Sequence, residues 1–408
     1  MAYILLPLFF GKSTYCPPLN ILIKEGENMK IFIKFGLLSI VIFSLLMTGC
    51  CKSTDPESQS QFPSELTMQL DHLINSTMST KNLPGVVVGI WIPGKGNYLK
   101  AFGKANLETN EERQFDDTFR IASITKTFTA TVILSIADDG LLNTSDPLSK
   151  YLPYFPNAEN ITIRNLLRMR SGIVDYADSS ILEEWYHDVY KNYPLDTLID
   201  IMASQDNEFT AAGQQTIYCN GNYTILAKVA EVVSGKKIAS LINEKVFQPL
   251  NLTSSSYPEP NNYNLESNNR GYSWENSTGS FADKTLLNTS CANAAGAIIS
   301  NMNDLEKYAR ALYQGTLLSK ETQQKRLETE IFKGAPPLLQ YGEGIIKQGE
   351  FYGHNGTIFG FSTEMFYLPA EDAVIVINVN RLDLDDKSWS GGLFAAISKL
   401  VFPEHVSW

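Results

Sequence analysis

Apolar residues at Leu66, Leu70, Leu73 and Ile74 recur at helical spacing among polar neighbours, which predicts an amphipathic helix close to residue 65. Val86 to Ile92 and Tyr98 to Phe102 are then rich in β-branched and aromatic residues and meet at Pro93-Gly94, the pattern of two strands joined by a turn. Helical spacing returns at Phe128, Val132, Ile133 and Ile136, with Gly140 placed to stop that helix, and again from Tyr223 to Val233. Near the other end, Phe361 to Leu368 and Ala373 to Val379 read as strands and Leu393 to Leu400 as a closing helix. Strands near both ends bracket a helix-rich middle. The economical arrangement is an α+β fold: one antiparallel sheet built from both ends of the chain and flanked by helices, with a mainly helical subdomain inserted. A ligand site is expected in the cleft between the halves.

One apolar run stands outside this scheme. Lys30 and Lys34 precede Phe35 to Met47, and Thr48-Gly49-Cys50 follows at once, so residues 29–49 read as a signal peptide with a lipobox-like end. The run is shorter than the roughly 20 apolar residues that a spanning helix needs. Cys50 is the expected lipidation site and residues 50–62, rich in Ser, Gln and Asp, the tether; an uncleaved anchor or plain secretion is the competing reading. Residues 1–28 fit no export signal, because Lys24-Glu25-Gly26-Glu27 interrupts them. Codons for that segment can hold a ribosome-binding stretch ahead of Met29, so translation is expected to begin at Met29. The Gly11-Lys12-Ser13-Thr14 run mimics the end of a P-loop but has Leu6 where the first glycine belongs. Residues 63–408 show no linker or repeat and are read as one domain. The expected product is an exported bacterial lipoprotein, held at the membrane and facing the periplasm or cell surface.

Composition removes several function classes. With 33 Lys and Arg against 44 Asp and Glu, the net charge is −11, and no basic cluster offers a nucleic-acid face. The four histidines, His72, His187, His354 and His405, share no metal-ligand spacing, so neither a metal nor another cofactor is expected. The G-x-S-x-G elbow of the α/β-hydrolases is missing, and neither Cys219 nor Cys291 has the context of a protease nucleophile. Export would permit a disulfide between those two cysteines; sequence leaves bridge and separate thiols both open.

What remains is serine chemistry. In Ser123-Ile124-Thr125-Lys126 the i and i+3 positions share a helix face, so Lys126 can reach Ser123 Oγ, and partial burial makes a lysine amine a usable base. Ser123 is expected to open the helix that carries Phe128 and Ile136. Alone this tetrapeptide is unspecific. Two further motifs follow in order: Tyr218-Cys219-Asn220 before the helical stretch at Tyr223, and His354-Asn355-Gly356 before the strand at Phe361.

The three motifs together resemble those of the serine penicillin-recognising hydrolases, in the branch that holds class C β-lactamases and D-alanyl-D-alanine carboxypeptidases. The likeness extends through Leu166-Leu167-Arg168-Met169-Arg170-Ser171-Gly172-Ile173, Val246 to Leu252, Ala295 to Ser300 and Tyr341-Gly342-Glu343-Gly344, about residues 65 to 400. It implies a β-lactamase/transpeptidase-like fold and an acyl-enzyme on Ser123. It also implies an oxyanion hole from the Ser123 and Thr357 backbone N–H groups, with Thr357 on the strand after the third motif. Tyr218 and Lys126 would share the proton transfers, either one as base. Asn220 would hold Lys126 and the substrate amide, and His354, Asn355, Gly356 and Thr357 would line the substrate side of the cleft. Gly356 would keep room for the substrate backbone.

The likeness thins where substrate is chosen. His354 stands where class C β-lactamases carry Lys. Asn355 and Ile346 stand where carboxypeptidases use Thr and Arg to grip a terminal carboxylate, and Cys291 replaces an aromatic wall residue. A register one residue on would instead bring Lys347 into the cleft. The expected function is hydrolysis of small peptide, amide or ester substrates, with cell-wall D-alanyl peptides the first candidates. An esterase or a class C-like β-lactamase is the alternative within the class, and a non-catalytic penicillin- or peptidoglycan-binding protein the alternative outside it.

Overall fold

The computed structural model describes residues 62–178, 180–205, 211–259, 262, 265, 267–383 and 388–408. The upstream segment, the signal peptide, Cys50 and the tether up to residue 61 lie outside these residues. Phe62, expected to end the tether, already packs on the Tyr98 ring with centroids 5.8 Å apart.

Helix α1 (Ser64–Lys81) buries Leu70 and Ile74, as the spacing predicts, and ends where Asn82 takes a left-handed φ of +51. The hairpin β1 (Gly85–Ile92) and β2 (Gly96–Asn106) follows, with β3 (Glu111–Glu112) at its edge. The apolar pattern ends the second strand at Phe102, because Gly103 and Lys104 break it. Backbone pairing carries the strand further, with Gly103 opposite Gly85 of β1 and Asn106 opposite Glu111 of β3.

Short β4 (Phe119–Arg120) leads into α2 (Thr125–Asp138), and Gly140 adopts the positive φ that lets the chain leave this helix. A helical region follows, including α3 (Gly221–Ser234). The ribbon β5 (Tyr272–Glu275) and β6 (Ser280–Asp283) and the short β7 (Ile299–Ser300), which pairs with β4, close it off. Helix α4 (Met302–Gln314) returns the chain to the sheet.

The remaining strands are β8 (Glu330–Ile331), β9 (Leu339–Tyr341), β10 (Ile346–Gln348), β11 (Phe351–Ile358), β12 (Phe361–Leu368) and β13 (Ala373–Val379), before the closing helix α5 (Trp389–Val401). The sheet runs β3-β2-β1-β13-β12-β11-β10-β9-β8, with antiparallel pairing throughout. Val86 to Trp91 pair with Val379 to Val374, so the two ends of the chain meet at the sheet centre, as the pattern predicts.

Both faces of the sheet are covered. Phe351 and Phe366 pack on Phe394 of α5, whereas their neighbours Tyr352 and Tyr367 pack on Tyr313 of α4. Adjacent strand residues point to opposite faces, so α5 and α4 lie on opposite sides. The third motif precedes the strand at Phe361, as expected, and itself lies inside a further strand, β11. Its glycines and polar residues hide the strand from a hydrophobicity pattern.

Glu364 of β12 is buried on the α5 side, where it accepts from Ser390 Oγ at 3.0 Å. Burial pushes its carboxyl up from 4.5 to about 8. The folded state therefore holds one proton more than the unfolded chain between these values, and stability falls as pH rises through that window. Glu364→Gln is expected to raise unfolding stability at pH 8 by about 4 kcal/mol and to leave it nearly unchanged at pH 4. Urea denaturation at both pH values checks this; equal effects at the two would refute the assignment.

Candidate active site

A strained turn presents the serine. Ala122 sits at φ +49, a left-handed conformation costly for a residue with a Cβ, and residues Ala122–Ile124 form a 3₁₀ turn before α2 begins. Ser123 lies on this turn, so it does not open the α-helix itself. Lys126, in the first turn of α2, reaches back to it.

The Lys126 side chain is wholly enclosed, and its Nζ lies 2.9 Å from Ser123 Oγ, 2.8 Å from Asn220 Oδ1 and 2.9 Å from the Ala295 carbonyl oxygen. The last two atoms can only accept. A neutral amine that donates to both turns its remaining lone pair to Ser123 Oγ. Burial lowers the Lys126 pKa to about 7, against the opposing pull of Asp175 and the Cys219 thiol. Both protonation states are thus accessible near neutrality.

Tyr218 and Asn220 enter from the segment that leads into α3. The Tyr218 ring lies 4.8 Å from Lys126 Nζ, and its hydroxyl faces Ser123. Tyr218 is 37% exposed to the cleft, and desolvation at its hydroxyl end raises the phenol above its ordinary range, so it stays protonated. Asn220 is oriented by a residue that the motif search does not single out, Asp175. The Asp175 Oδ2 accepts from the Asn220 backbone N–H at 2.6 Å and from its Nδ2 at 2.8 Å.

The third side of the site is β11. Strand β10 pairs only with Phe351 to Gly353, so the edge from Asn355 to Ile358 borders the cleft without β10 beside it. The requirement for glycine at 356 differs from the sequence expectation. A Cβ there would meet Ile121 O at 2.2 Å and Ser123 N at 2.9 Å, so Gly356 lets the strand close on the serine turn itself.

His354 is corrected more substantially. It is fully buried behind Tyr218, with ring centroids 6.4 Å apart, and is not part of the cleft wall. Its Nδ1 faces the Asn355 carbonyl oxygen at 2.5 Å, which can only accept, so Nδ1 carries a proton, and Nε2 lies 3.3 Å from Tyr341 Oη. Burial and the Lys126 charge lower its pKa to about 3. The imidazole is neutral where a lysine would have brought a charge.

These elements enclose a cleft of about 1170 Å³. Ser123, Tyr218, Asn220, Asn355, Gly356 and Thr357 all line it. Ile346 does so too, whereas Lys347 lies over the Tyr352 ring at 5.6 Å, so the register keeps that lysine on another face. Lys and Arg are absent among the described lining residues, while Asp175, Glu183 and Asp383 are present. The cleft is aromatic despite Cys291: Trp185 and Tyr186 pack on Phe359 with centroids 5.0 and 5.4 Å apart. No sequence signal marked these three residues. Cys219 and Cys291 are both buried thiols, and burial pushes Cys291 up to about 12, which makes it inert as a nucleophile.

Comparison with known proteins agrees with this geometry. The family model described as Beta-lactamase matches residues 70–391. The chain is 26% identical over 328 residues to Protein flp of Staphylococcus aureus strain NCTC 8325, covering 76% of this chain and 62% of that protein's length. It is 27% identical over 293 residues to the teichoic acid D-alanine hydrolase of S. aureus strain MRSA252, covering 72% and 70% of the two chains. Among solved structures, a D-stereospecific amidohydrolase from a Streptomyces species superposes with a TM-score of 0.73 at 26% identity, over 84% of this chain and 99% of that one.

Proposed function

The chain belongs to the beta-lactamase family of serine hydrolases, and from that premise we propose that it cleaves amide or ester bonds through an acyl-enzyme on Ser123, with a leaving group that carries no carboxylate. The observation that carries this reading is the Lys126 amine: two of its contacts can only accept, and the third is the Ser123 hydroxyl.

In this reading Ser123 Oγ attacks the substrate carbonyl carbon and passes its proton to Lys126 Nζ. The resulting oxyanion is held by the Ser123 and Thr357 backbone N–H groups. Collapse breaks the bond to the leaving nitrogen or oxygen, which takes a proton relayed from Lys126 through Tyr218. Water then attacks the ester carbonyl, gives its proton to the same relay, and Ser123 leaves reprotonated. Lys126 is the base because the Tyr218 phenol is held protonated. Asn220 fixes the ammonium, and Asn355, Gly356 and Thr357 line the path of the scissile group.

The absence of Lys and Arg from the described cleft wall, and the carboxylates in it, support a substrate without a carboxylate beside the cleaved bond. A buried carboxylate of the substrate would meet neither Lys nor Arg among the described residues there. The relatives named as a teichoic acid D-alanine hydrolase and a D-stereospecific amidohydrolase support D-aminoacyl amides and esters as the substrate class. An export signal at 29–49 and a lipid on Cys50 would set this chemistry at the cell surface, where cell-wall D-alanyl groups occur.

Capping decides the point. A D-alanyl-D-alanine peptide with its C-terminus converted to an amide is expected to retain kcat/KM within about threefold of the free acid, whereas a carboxylate-gripping enzyme would lose about 10²-fold or more. Strong preference for the free acid would restore the plain carboxypeptidase reading.

A further inference from the structure

We propose that Asp175 is the positioning residue of this site: a buried carboxylate that turns Asn220 toward Lys126 and acts, across that amide, as the counter-charge of the ammonium. The inference rests on the reading of Lys126 as the base. Neither the serine motif nor the Tyr-x-Asn motif contains Asp175. It comes from the loop after Ser171-Gly172, more than forty positions before Asn220.

Four N–H groups converge on this carboxylate. Oδ2 accepts from the Asn220 backbone at 2.6 Å and its side-chain amide at 2.8 Å, while Oδ1 accepts from the backbone of Ala177 at 3.2 Å and Gly221 at 3.3 Å. A carboxylate only accepts, so it must face the NH₂ end of the Asn220 side chain. Asn220 Oδ1 is then left pointing at Lys126 Nζ, 2.8 Å away. Reversal of that amide would set an oxygen against the carboxylate and an NH₂ against the ammonium.

The second half of the inference is electrostatic. Asp175 is 5% exposed, and none of the ion pairs among the described residues includes it. A buried anion without a paired cation is costly, and the enclosed ammonium of Lys126 is equally so. The groups that face Lys126 are Ser123 on its own segment, Asp175 from the loop, the Tyr218 and Tyr223 rings, the Cys219 thiol, Asn220, the Ala295 carbonyl and His354 from β11. Desolvation keeps the phenols protonated and the imidazole neutral, and Asp175 supplies the negative charge in this set. It pulls the Lys126 pKa upward against burial.

Loss of that charge therefore moves Lys126 to a lower pKa, and loss of the acceptor pair frees Asn220 to rotate. The two effects have opposite signs at low pH. The rate of Ser123 phosphonylation by a fluorophosphonate probe reads both without any assumption about substrate, with intact-protein mass spectrometry and circular dichroism as controls. In the wild type the rate is expected to rise with pH through an inflection near 7. Asp175→Asn should slow the plateau rate at least about tenfold and move the inflection down by about one pH unit. Asp175→Glu, which keeps the charge on a longer arm, should hold the inflection within about 0.3 unit of wild type while the plateau stays depressed. A merely structural carboxylate would lower the plateau and leave the inflection where it is, and that result overturns the proposal. If Asp175→Asn does not fold, Asp175→Ser, which also removes the charge, decides by the same reading: an inflection moved down supports the counter-charge, and an unmoved one overturns it. A wild type that takes no label at Ser123, or shows no inflection near neutrality, would instead overturn the reading of Ser123 and Lys126.

Discussion

Ser123→Ala is expected to abolish acylation and to cut hydrolysis by about 10⁴-fold or more, since the nucleophile itself is gone and only substrate positioning and the oxyanion donors remain. The fold should be little affected. The hydroxyl contributes one contact to Lys126, and Nζ keeps its bonds to Asn220 Oδ1 and Ala295 O without it. Unfolding stability is therefore expected within about 1 kcal/mol of wild type. Mass spectrometry after fluorophosphonate treatment, with hydrolysis rates and thermal unfolding on the same preparation, checks all three. Survival of turnover in the purified variant would mean that another residue is the nucleophile. Complete absence of labelling in the wild type with every acylating probe would favour the binding-protein reading.

The second large effect concerns the proton relay. Lys126→Met and Tyr218→Phe are each expected to reduce kcat by about 10²-fold or more, the scale of general acid–base catalysis. Their other consequences should differ. Met fills a similar volume but cannot donate, so Asn220 Oδ1 and the Ala295 carbonyl lose a buried partner at about 1–3 kcal/mol each. Lys126→Met should thus melt several degrees lower and lose the pH inflection near 7, because the group that titrates there is gone. Tyr218→Phe should keep that inflection and nearly the full stability. Near-normal rates in both variants would remove the relay, and an inflection that persists in Lys126→Met would assign it to another group.

Much of the scaffold was legible because long elements carry strong periodicity. α1, α2, β1, β12, β13 and α5 each bury an apolar run or stripe, and each was located from that run. The strands β8 to β11 were not. They are short, or, like β11 with its sequence Phe-Tyr-Gly-His-Asn-Gly-Thr-Ile, interrupted by residues retained for close approach to the serine turn. Their strand geometry comes from neighbours across the sheet, which no local window contains.

The same division runs through the site. Sequence alone determined that Ser123 and Lys126 meet, because three residues along a helix return a side chain to the same face whatever surrounds it. Motif order and the family likeness brought Tyr218, Asn220 and the third motif to the list of candidates, and the cleft does gather Tyr218, Asn220, Asn355, Gly356 and Thr357 around the serine. Tertiary structure alone decided the rest. Asp175, the Ala295 carbonyl and the wall of Trp185, Tyr186 and Phe359 come from distant segments and carry no spacing signal. The Lys126 pKa near 7, the protonated Tyr218 phenol and the neutral His354 depend on burial and on which charges share that enclosure. Local geometry is fixed by covalent periodicity, which a sequence displays. Desolvation and electrostatic balance belong to the volume that folding closes around a group, and they exist only once distant segments have met.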